Sequence, residues 1–287
     1  MKNVPGMSSF ALVPADAVEP ARLPAAFTQA FADYLIGPFE LALAQWPQFL
    51  ARQGVNLALS RVAMNGNEPL AFCLAAPRPE VRSWRLGTMG AVPAARGSGA
   101  APELLGDFIV RAKAAGMAFV ELECFAQNTR ALRLYEGRGF ATVDTLHGYE
   151  RAAGPLAPAA SGAPTTVALG DAFAWLDACQ QSGCELPLQV TARALGASQA
   201  PLQAWREGTA QVVFSLDPRG RLHVHSLVDR VPAQQDAGRL LATLLARHPE
   251  SSVHVPQLQR PSIGGAALER VGCTRLPLHQ LWMRRPC

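Results

Sequence analysis

The sequence predicts an α/β (α+β) chain of two domains, and three observations point there. Residues 89–140 pass from strand to helix to strand to helix, with a glycine-rich turn at the first junction. Upstream, three apolar runs separated by tight turns read as an antiparallel meander. Residues 152–164, rich in Ala, Pro and Gly and free of charge, separate two halves that echo one another. The chain is 287 residues long and 49% apolar, enough to fill two cores.

In order, residues 8–13 alternate as a first strand. Pro14-Ala15-Asp16 then turns into a helix over about 18–34, with Phe27, Phe31 and Leu35 on one face. A second helix is expected over about 38–52, ended by Gly54. The meander follows as residues 57–64, Asn65-Gly66 as a hairpin turn, residues 69–78, a turn around Pro79, and residues 82–92. Pro93 has no N–H and closes that ladder. Arg96-Gly97-Ser98-Gly99-Ala100-Ala101 must then turn sharply into a helix that runs to about Ala115, with Leu104, Leu105, Phe108, Ile109 and Ala112 at helical spacing. A strand over 119–124, a helix after Asn128, and two further strands over 141–146 and 148–152 complete the first half.

Composition excludes several classes. The net charge of +4 is spread over both halves with no basic run or aromatic-interleaved basic stripe, so nucleic acid is not indicated; Lys2 and Lys113 are the only lysines. Residues 1–10 lack the apolar centre of a signal peptide and no apolar run is long enough to cross a bilayer, so a cytoplasmic protein without membrane contact is expected. Cys73, Cys124, Cys179, Cys184, Cys273 and Cys287 show no CxxC spacing and read as reduced thiols, with no metal expected. Cys124 reads as a small buried hydrophobe rather than a nucleophile.

A glycine-rich turn before a helix is either a plain connection or an anion site, because the first helical turn leaves N–H groups unpaired and carries partial positive charge. Here the loop is neither the dinucleotide GxGxxG nor a P-loop, since no GK[ST] follows. Arg96-x-x-Gly99-x-Ala101, followed by the FVELEC strand, Asn128, Ala131, Tyr135 and Gly139-Phe140, resembles the pyrophosphate-binding region of the GNAT acyltransferases, which are acetyl-CoA-dependent N-acetyltransferases.

That resemblance implies two tandem GNAT-like domains, residues 1–151 and 165–287 joined by the linker 152–164, each with a mixed, mostly antiparallel central sheet flanked by helices. It implies acetyl-CoA as cosubstrate and no metal. The cofactor arm would lie where the fourth and fifth strands splay, with backbone groups of Met89, Gly90, Ala91 and Val92 near the acetyl carbonyl. Arg96, Gly97, Ser98, Gly99, Ala100 and Ala101 would hold the pyrophosphate, with Asn128 and Tyr135 further along the cofactor. Tyr135 would protonate the leaving thiolate.

The base is less direct. Many family members carry a glutamate on the fourth strand, and residues 82–92 contain no acid. The spacing of Glu123, Asn128 and Tyr135 is similar to that of the ribosomal-protein N-terminal alanine acetyltransferases, which implies Glu123 as a base acting through water. Strand alternation puts Glu121 and Glu123 on one face and Leu122 and Cys124 on the other. Glutamates facing solvent would be an ordinary charged face; His147 and Tyr149 are alternatives, and an amine arriving neutral needs no base. Phe27, Phe31, Tyr34, Phe39, Trp46 and Phe49 are expected to be core, although the family's first two helices form one wall of the acceptor site; Pro38 and Trp46 mark the break between them.

In the second half, Val231-Pro232 echoes Val92-Pro93, Gly238 echoes Gly99, and residues 267–273 echo 134–140. Gln235 stands in place of Arg96, Asp236 of Gly97, Pro261 of Asn128 and Leu268 of Tyr135. A carboxylate in the pyrophosphate position repels it, so this domain is expected to have lost the cofactor site. It would cover the cleft, contribute to the acceptor pocket or mediate a homodimer. The expected activity is acetyl transfer to a primary amine of a small molecule in a ternary complex. The alternatives are a peptide N-terminal or lysine acceptor, or a CoA-binding interaction protein without turnover.

Overall fold

A computed structural model of the chain describes residues 10–155 and 163–287. The start of the expected first strand and most of the expected linker therefore lie outside the described residues. The contacts divide the chain into two units. The first comprises residues 1–123, 128–141 and 283–287, and the second comprises residues 124–127 and 142–282.

In the first unit, β1 (Ala11–Pro14) pairs antiparallel with β2 (Asn56–Asn65). Between them lie α1 (Arg22–Ala30) and α2 (Trp46–Arg52). Both helices are shorter than the periodicity predicts. Phe31 closes α1, Gly37 takes φ +96°, and the Phe39 N–H returns to the Phe31 carbonyl at 3.2 Å, folding the chain back before Pro38 could start a helix. Pro47 falls in the first turn of α2, where its missing N–H costs nothing, and Gly54 at φ +65° ends that helix as expected. β2 and β3 (Glu68–Arg78) form a hairpin with Asn65 opposite Glu68, so the two turn residues are Gly66-Asn67 rather than Asn65-Gly66. Gly66 supplies the positive φ of +55°.

β4 (Ser83–Ala91) pairs antiparallel with β3, then α3 (Ala100–Ala114) leads to β5 (Phe119–Phe125) and α4 (Thr129–Glu136). The strand order is β1-β2-β3-β4-β5. One face of this sheet is covered by α3, whose Leu104, Leu105 and Phe108 are fully buried, with Phe108 5.9 Å from the Trp84 ring. On the other, Phe27 lies within 4.8–5.9 Å of the rings of Phe31, Phe39, Trp46, Phe49 and Phe72. These rings are core, as their spacing suggests.

In the second unit, β6 (Ala141–Arg151) is one continuous strand where the sequence reads as two. Gly148 does not break it. A Cβ there would meet Leu276 Cδ1 at 2.7 Å and the Val255 carbonyl at 3.0 Å, so the glycine is required by close packing. The unit continues with β7 (Thr165–Val167), α5 (Leu169–Gln181), α6 (Ala192–Gly196), β8 (Gln203–Glu207), β9 (Ala210–Leu216), β10 (Leu222–Asp229), α7 (Gln235–Arg247), β11 (Val253–Gln259), α8 (Gly265–Arg270) and β12 (Thr274–Pro286). The order from β12 is β12-β6-β11-β10-β9-β8-β7, with β10 and β11 parallel. One core joins α7 and α8 to the sheet through Phe214, Leu240, Leu244 and Leu268; a second joins α5 and α6 through Leu176, Leu195 and Val213. The last residues of β12 belong to the first unit, where the Cys287 N–H donates to the Ala118 carbonyl at 3.1 Å.

Phe27→Ala removes the ring at the centre of the first unit's aromatic cluster. It is expected to cost about 3–5 kcal/mol, read as a lowered midpoint in denaturant unfolding of the intact chain.

Candidate functional site

β4 and β5 are parallel neighbours at Ser83↔Phe119, Trp84↔Val120 and Arg85↔Glu121, and their pairing ends there. Beyond that point β4 runs on to Ala91, still paired with β3. The departure coincides with a bulge: Leu86 faces Ala75 and Thr88 faces Leu74, leaving Gly87 as the extra residue. A Cβ at Gly87 would stand 3.1 Å from Val55 Cγ2 and 3.2 Å from the Leu74 carbonyl, so a side chain there would crowd both.

The direction of the main-chain donors past the bulge follows from the ladder. The Val92 N–H donates to the Leu70 carbonyl at 2.9 Å, and alternation turns Gly90 to the same side. Met89 and Ala91 therefore present their N–H groups to the opposite edge, where β5 has departed. Of the four residues 89–92, two face the gap and two are bound to β3. On the face of the strand, a Cβ at Gly90 would meet Phe72 at 2.7 Å and Ala30 at 3.0 Å, which places the end of α1 directly on this stretch.

The loop after β4 turns through Pro93–Ala95 and two left-handed glycines, Gly97 at φ +87° and Gly99 at φ +89°, the latter capping α3. Among the described residues, and apart from their own chain neighbours, no atom lies within 4 Å of a Cβ placed on either. Ser98 donates its N–H to the Ala95 carbonyl at 3.2 Å, and Ala100 donates to Ser98 Oγ at 3.4 Å. The N–H groups of Gly97, Gly99 and Ala101 have no protein acceptor among the described residues. Three main-chain donors without a protein acceptor thus gather at a helix N-terminus beside two uncrowded glycines, an arrangement that binds an anion. Arg96, beside them, is not idle: its guanidinium grips the Asp33 carboxylate through two hydrogen bonds of 2.5 Å and also donates to the Ala30 carbonyl at 3.2 Å. This partner holds the Asp33 carboxyl below its usual value.

Glu121 and Glu123 share a face of β5, and that face is buried. Glu121 is paired with Arg78 at 2.7 Å and Arg284 at 3.3 Å. The Glu123 side chain is 2% exposed and receives Arg85 on Oε2 at 2.6 Å; Arg85 also donates to Gln53 Oε1 at 3.1 Å. Glu123 Oε1 is buried without a protein partner. Asn128 caps α4, its Oδ1 accepting from the Ala131 N–H at 3.2 Å. Tyr135, two turns on, is 7% exposed, its ring edge-on to Phe140 at 6.0 Å.

Arg85 and Asp33 are the polar partners that sequence reading misses. A signal for Arg85 exists: two arginines at 78 and 85 and two glutamates at 121 and 123 sit in strands that are otherwise nearly apolar, and buried charges demand opposite partners. Cys124 is buried, which pushes its thiol up to about 12 and leaves it protonated at neutral pH. His147 and Tyr149 lie on β6 in the second unit, where His147 stacks on His279 at 5.1 Å and burial raises the Tyr149 hydroxyl to about 12. Among the described residues no cluster of three metal-ligating side chains occurs, and no helix is long and apolar enough to cross a membrane.

Residues 23–140 match the model of the Acetyltransferase (GNAT) family, a span that contains the bulged β4, the open loop and α4. This part of the chain is a GNAT acetyltransferase domain. The chain carries an acyltransferase accordingly. No curated protein matches the sequence. Among solved structures, the chain is similar to a GCN5-related N-acetyltransferase from Anabaena variabilis, with 16% identity, a TM-score of 0.67, and coverage of 96% of this chain and 72% of that one. It is also similar to GCN5-related N-acetyltransferases from Kribbella flavida (16% identity, TM-score 0.59, covering 97% and 71%) and Sphaerobacter thermophilus (15%, 0.58, covering 99% and 97%). At these identities the likeness concerns the fold, and it extends over nearly the whole chain.

In the second unit, β10 and β11 are likewise parallel and are joined through α7. β10 and β11 are paired at Leu222↔Val253 and His223↔His254, and Gln259 then reaches across to donate to the Leu227 carbonyl at 3.1 Å. The echo between Gly238 and Gly99 is corrected by the helix boundaries: α7 begins at Gln235, so Gly238 lies inside it. The residue that caps α7 in the left-handed region is Gln234, φ +52°, three residues after Val231, whereas Gly99 is seven after Val92. The second loop is shorter, and the stretch carrying Arg96 to Ser98 has no counterpart. Asp229, buried, accepts from the N–H groups of Val231 at 2.9 Å and Ala237 at 3.0 Å. Gln234 accepts from Ala267 and donates to the Pro261 carbonyl. Asp236 accepts from the Thr209 N–H at 2.7 Å and pairs with Arg239. The echo at the other end holds: Gly139 and Gly272 take φ +82° and +85°, after Tyr135 and Leu268 whose carbonyls accept from Phe140 and Cys273.

Arg85→Met leaves the Glu123 carboxylate buried and uncompensated, and is expected to cost about 3–5 kcal/mol, with much of the loss recovered in Arg85→Met/Glu123→Leu; urea unfolding of the three proteins reads both. Cys73 and Cys124, both pushed up to about 12 by burial, are expected to stay unmodified by iodoacetamide at pH 8 in the folded protein, while the partly exposed Cys287 reacts; peptide mass mapping distinguishes them.

Proposed function

We propose that the GNAT domain transfers an acetyl group from acetyl-CoA to the primary amine of a small molecule by direct attack in a ternary complex. The observation that carries this reading is the row of unclaimed main-chain donors, Met89 and Ala91 on the parted edge of β4 and Gly97, Gly99 and Ala101 at the start of α3. In this reading the second set, with Arg96, Ser98 and Ala100 around it, takes the pyrophosphate. The first receives the pantetheine arm and the thioester oxygen, whose developing charge is stabilised by fixed N–H donors. Gly90 and Val92 hold the strand to β3 so that those donors stay aimed.

Glu123 acts as the base through a water at Oε1, the oxygen that Arg85 leaves unclaimed, while Arg85 and Gln53 fix the carboxylate in place. Tyr135 gives its proton to the departing thiolate, and Asn128 orients the cofactor from the start of α4. A peptide N-terminus is the second reading, favoured by the spacing of Glu123, Asn128 and Tyr135. The second unit is proposed as a GNAT-like domain without a cofactor site, since its helix start and strand gap are occupied by Asp229, Gln234 and Gln259.

Calorimetric titration with acetyl-CoA is expected to show one site per chain, lost in Arg96→Glu. Two sites, or a site that survives the substitution, would contradict the assignment. With an amine in hand, Glu123→Gln and Tyr135→Phe are each expected to lower kcat about 10²-fold with little change in the KM for acetyl-CoA; unchanged turnover in both would remove this mechanism.

A further inference from the structure

The grip of Arg96 on Asp33 bears on how the donor enters. We infer that Asp33 stands in for the donor's pyrophosphate and competes with it for Arg96, so that acetyl-CoA binding releases the end of α1. This rests on the cofactor reading above. Both guanidinium nitrogens Nη1 and Nη2 are engaged by the two Asp33 oxygens at 2.5 Å, the two-pronged geometry a phosphate group also uses. Nη2 is further committed to the Ala30 carbonyl at 3.2 Å. The pair stands beside the Gly97–Gly99 turn, whose empty flank is where an anion fits.

Two features make the pair displaceable rather than structural. The Asp33 side chain is 61% exposed and that of Arg96 26%, so either partner exchanges the other for water or for a ligand at low cost. Asp33 also lies in the field of Arg130, on the first turn of α4, so a cationic neighbour remains for the carboxylate once Arg96 turns to the donor. By contrast, the Arg78–Glu121 and Arg85–Glu123 pairs are almost wholly buried and hold strands together.

The consequence reaches the acceptor side through α1. Ala30 is the last residue of that helix and Asp33 lies in the turn after it, while Ala30 and Phe31 rest on Gly90, in the middle of the β4 stretch that faces the thioester. Residues 32–45 follow, and carry the exposed side chains of Leu35, Ile36 and Leu43. While Asp33 holds Arg96, this segment is pinned to the cofactor loop; when the pyrophosphate takes Arg96, the pin opens. Asp33 thus acts as a positioning residue that sets donor affinity through Arg96 without touching the reacting atoms.

Asp33→Asn removes the charge at constant shape. It is expected to tighten acetyl-CoA binding by about threefold to tenfold at low salt, with the gain shrinking at high salt. The KM for acetyl-CoA should fall with kcat unchanged, and kinetics with acetyl-pantetheine, which lacks the pyrophosphate, should not move. In an Arg96→Gln background the Asp33→Asn change should have no effect on affinity. Equal or weaker acetyl-CoA binding by Asp33→Asn, or a gain that persists without Arg96 or appears with acetyl-pantetheine, overturns the competition. Absence of acetyl-CoA binding by both the native protein and Asp33→Asn overturns the cofactor reading itself, and the two failures are distinct.

Discussion

A parallel pair of strands must keep its main-chain groups satisfied or give them to something else. β4 loses β5 after Arg85 and keeps going for six more residues, so its Met89 and Ala91 N–H groups are committed to neither neighbour. The bulge at Gly87 coincides with the departure, the β3 ladder resumes beyond it from Thr88 to Ala91, and Pro93 ends the strand before a new partner could be recruited. The glycine turn and the start of α3 then add three more donors at the end of the same edge. Around them stand α1 on Gly90, Arg96 beside Gly97, and the Arg85–Glu123 pair at the point of parting.

In the second unit the groups around the start of α7 have protein partners. Its parted strands are bridged by the Gln259 amide, its helix start is capped by a buried aspartate, and the left-handed position before the helix is held by a glutamine whose side chain binds α8 and the turn before it. A non-glycine residue at φ +52° carries strain, and here hydrogen bonds to Val231, Pro261, Ala267 and Arg270 offset it.

The alternation of elements over 89–140 was legible from periodicity and from Pro93, Gly97 and Gly99, because each of those residues has a backbone meaning that context does not override. The ends of α1 and α2 were less legible, since Gly37 and Pro38 act through a chain reversal onto Phe31 that depends on tertiary packing. Gly148 misled for a related reason: its cause is the approach of Leu276 and Val255 from distant parts of the chain. The echo between the halves was real at Gly139 and Gly272 but slipped by four residues at Gly238, because a glycine inside a helix and a glycine before one look alike in sequence. The pairing of Glu123 with Arg85, and of Asp33 with Arg96, joins residues 38 and 63 positions apart, and no local pattern carries such a contact.

The central claim is that the unclaimed donors of β4 and the following loop are where acetyl-CoA sits. Hydrogen exchange read by mass spectrometry, with and without acetyl-CoA, addresses those amides themselves. The account predicts slowed exchange in peptides covering residues 89–101, with residues 229–237 of the second unit unaffected. Protection confined to 229–237, or none in either segment at saturating acetyl-CoA, would contradict it.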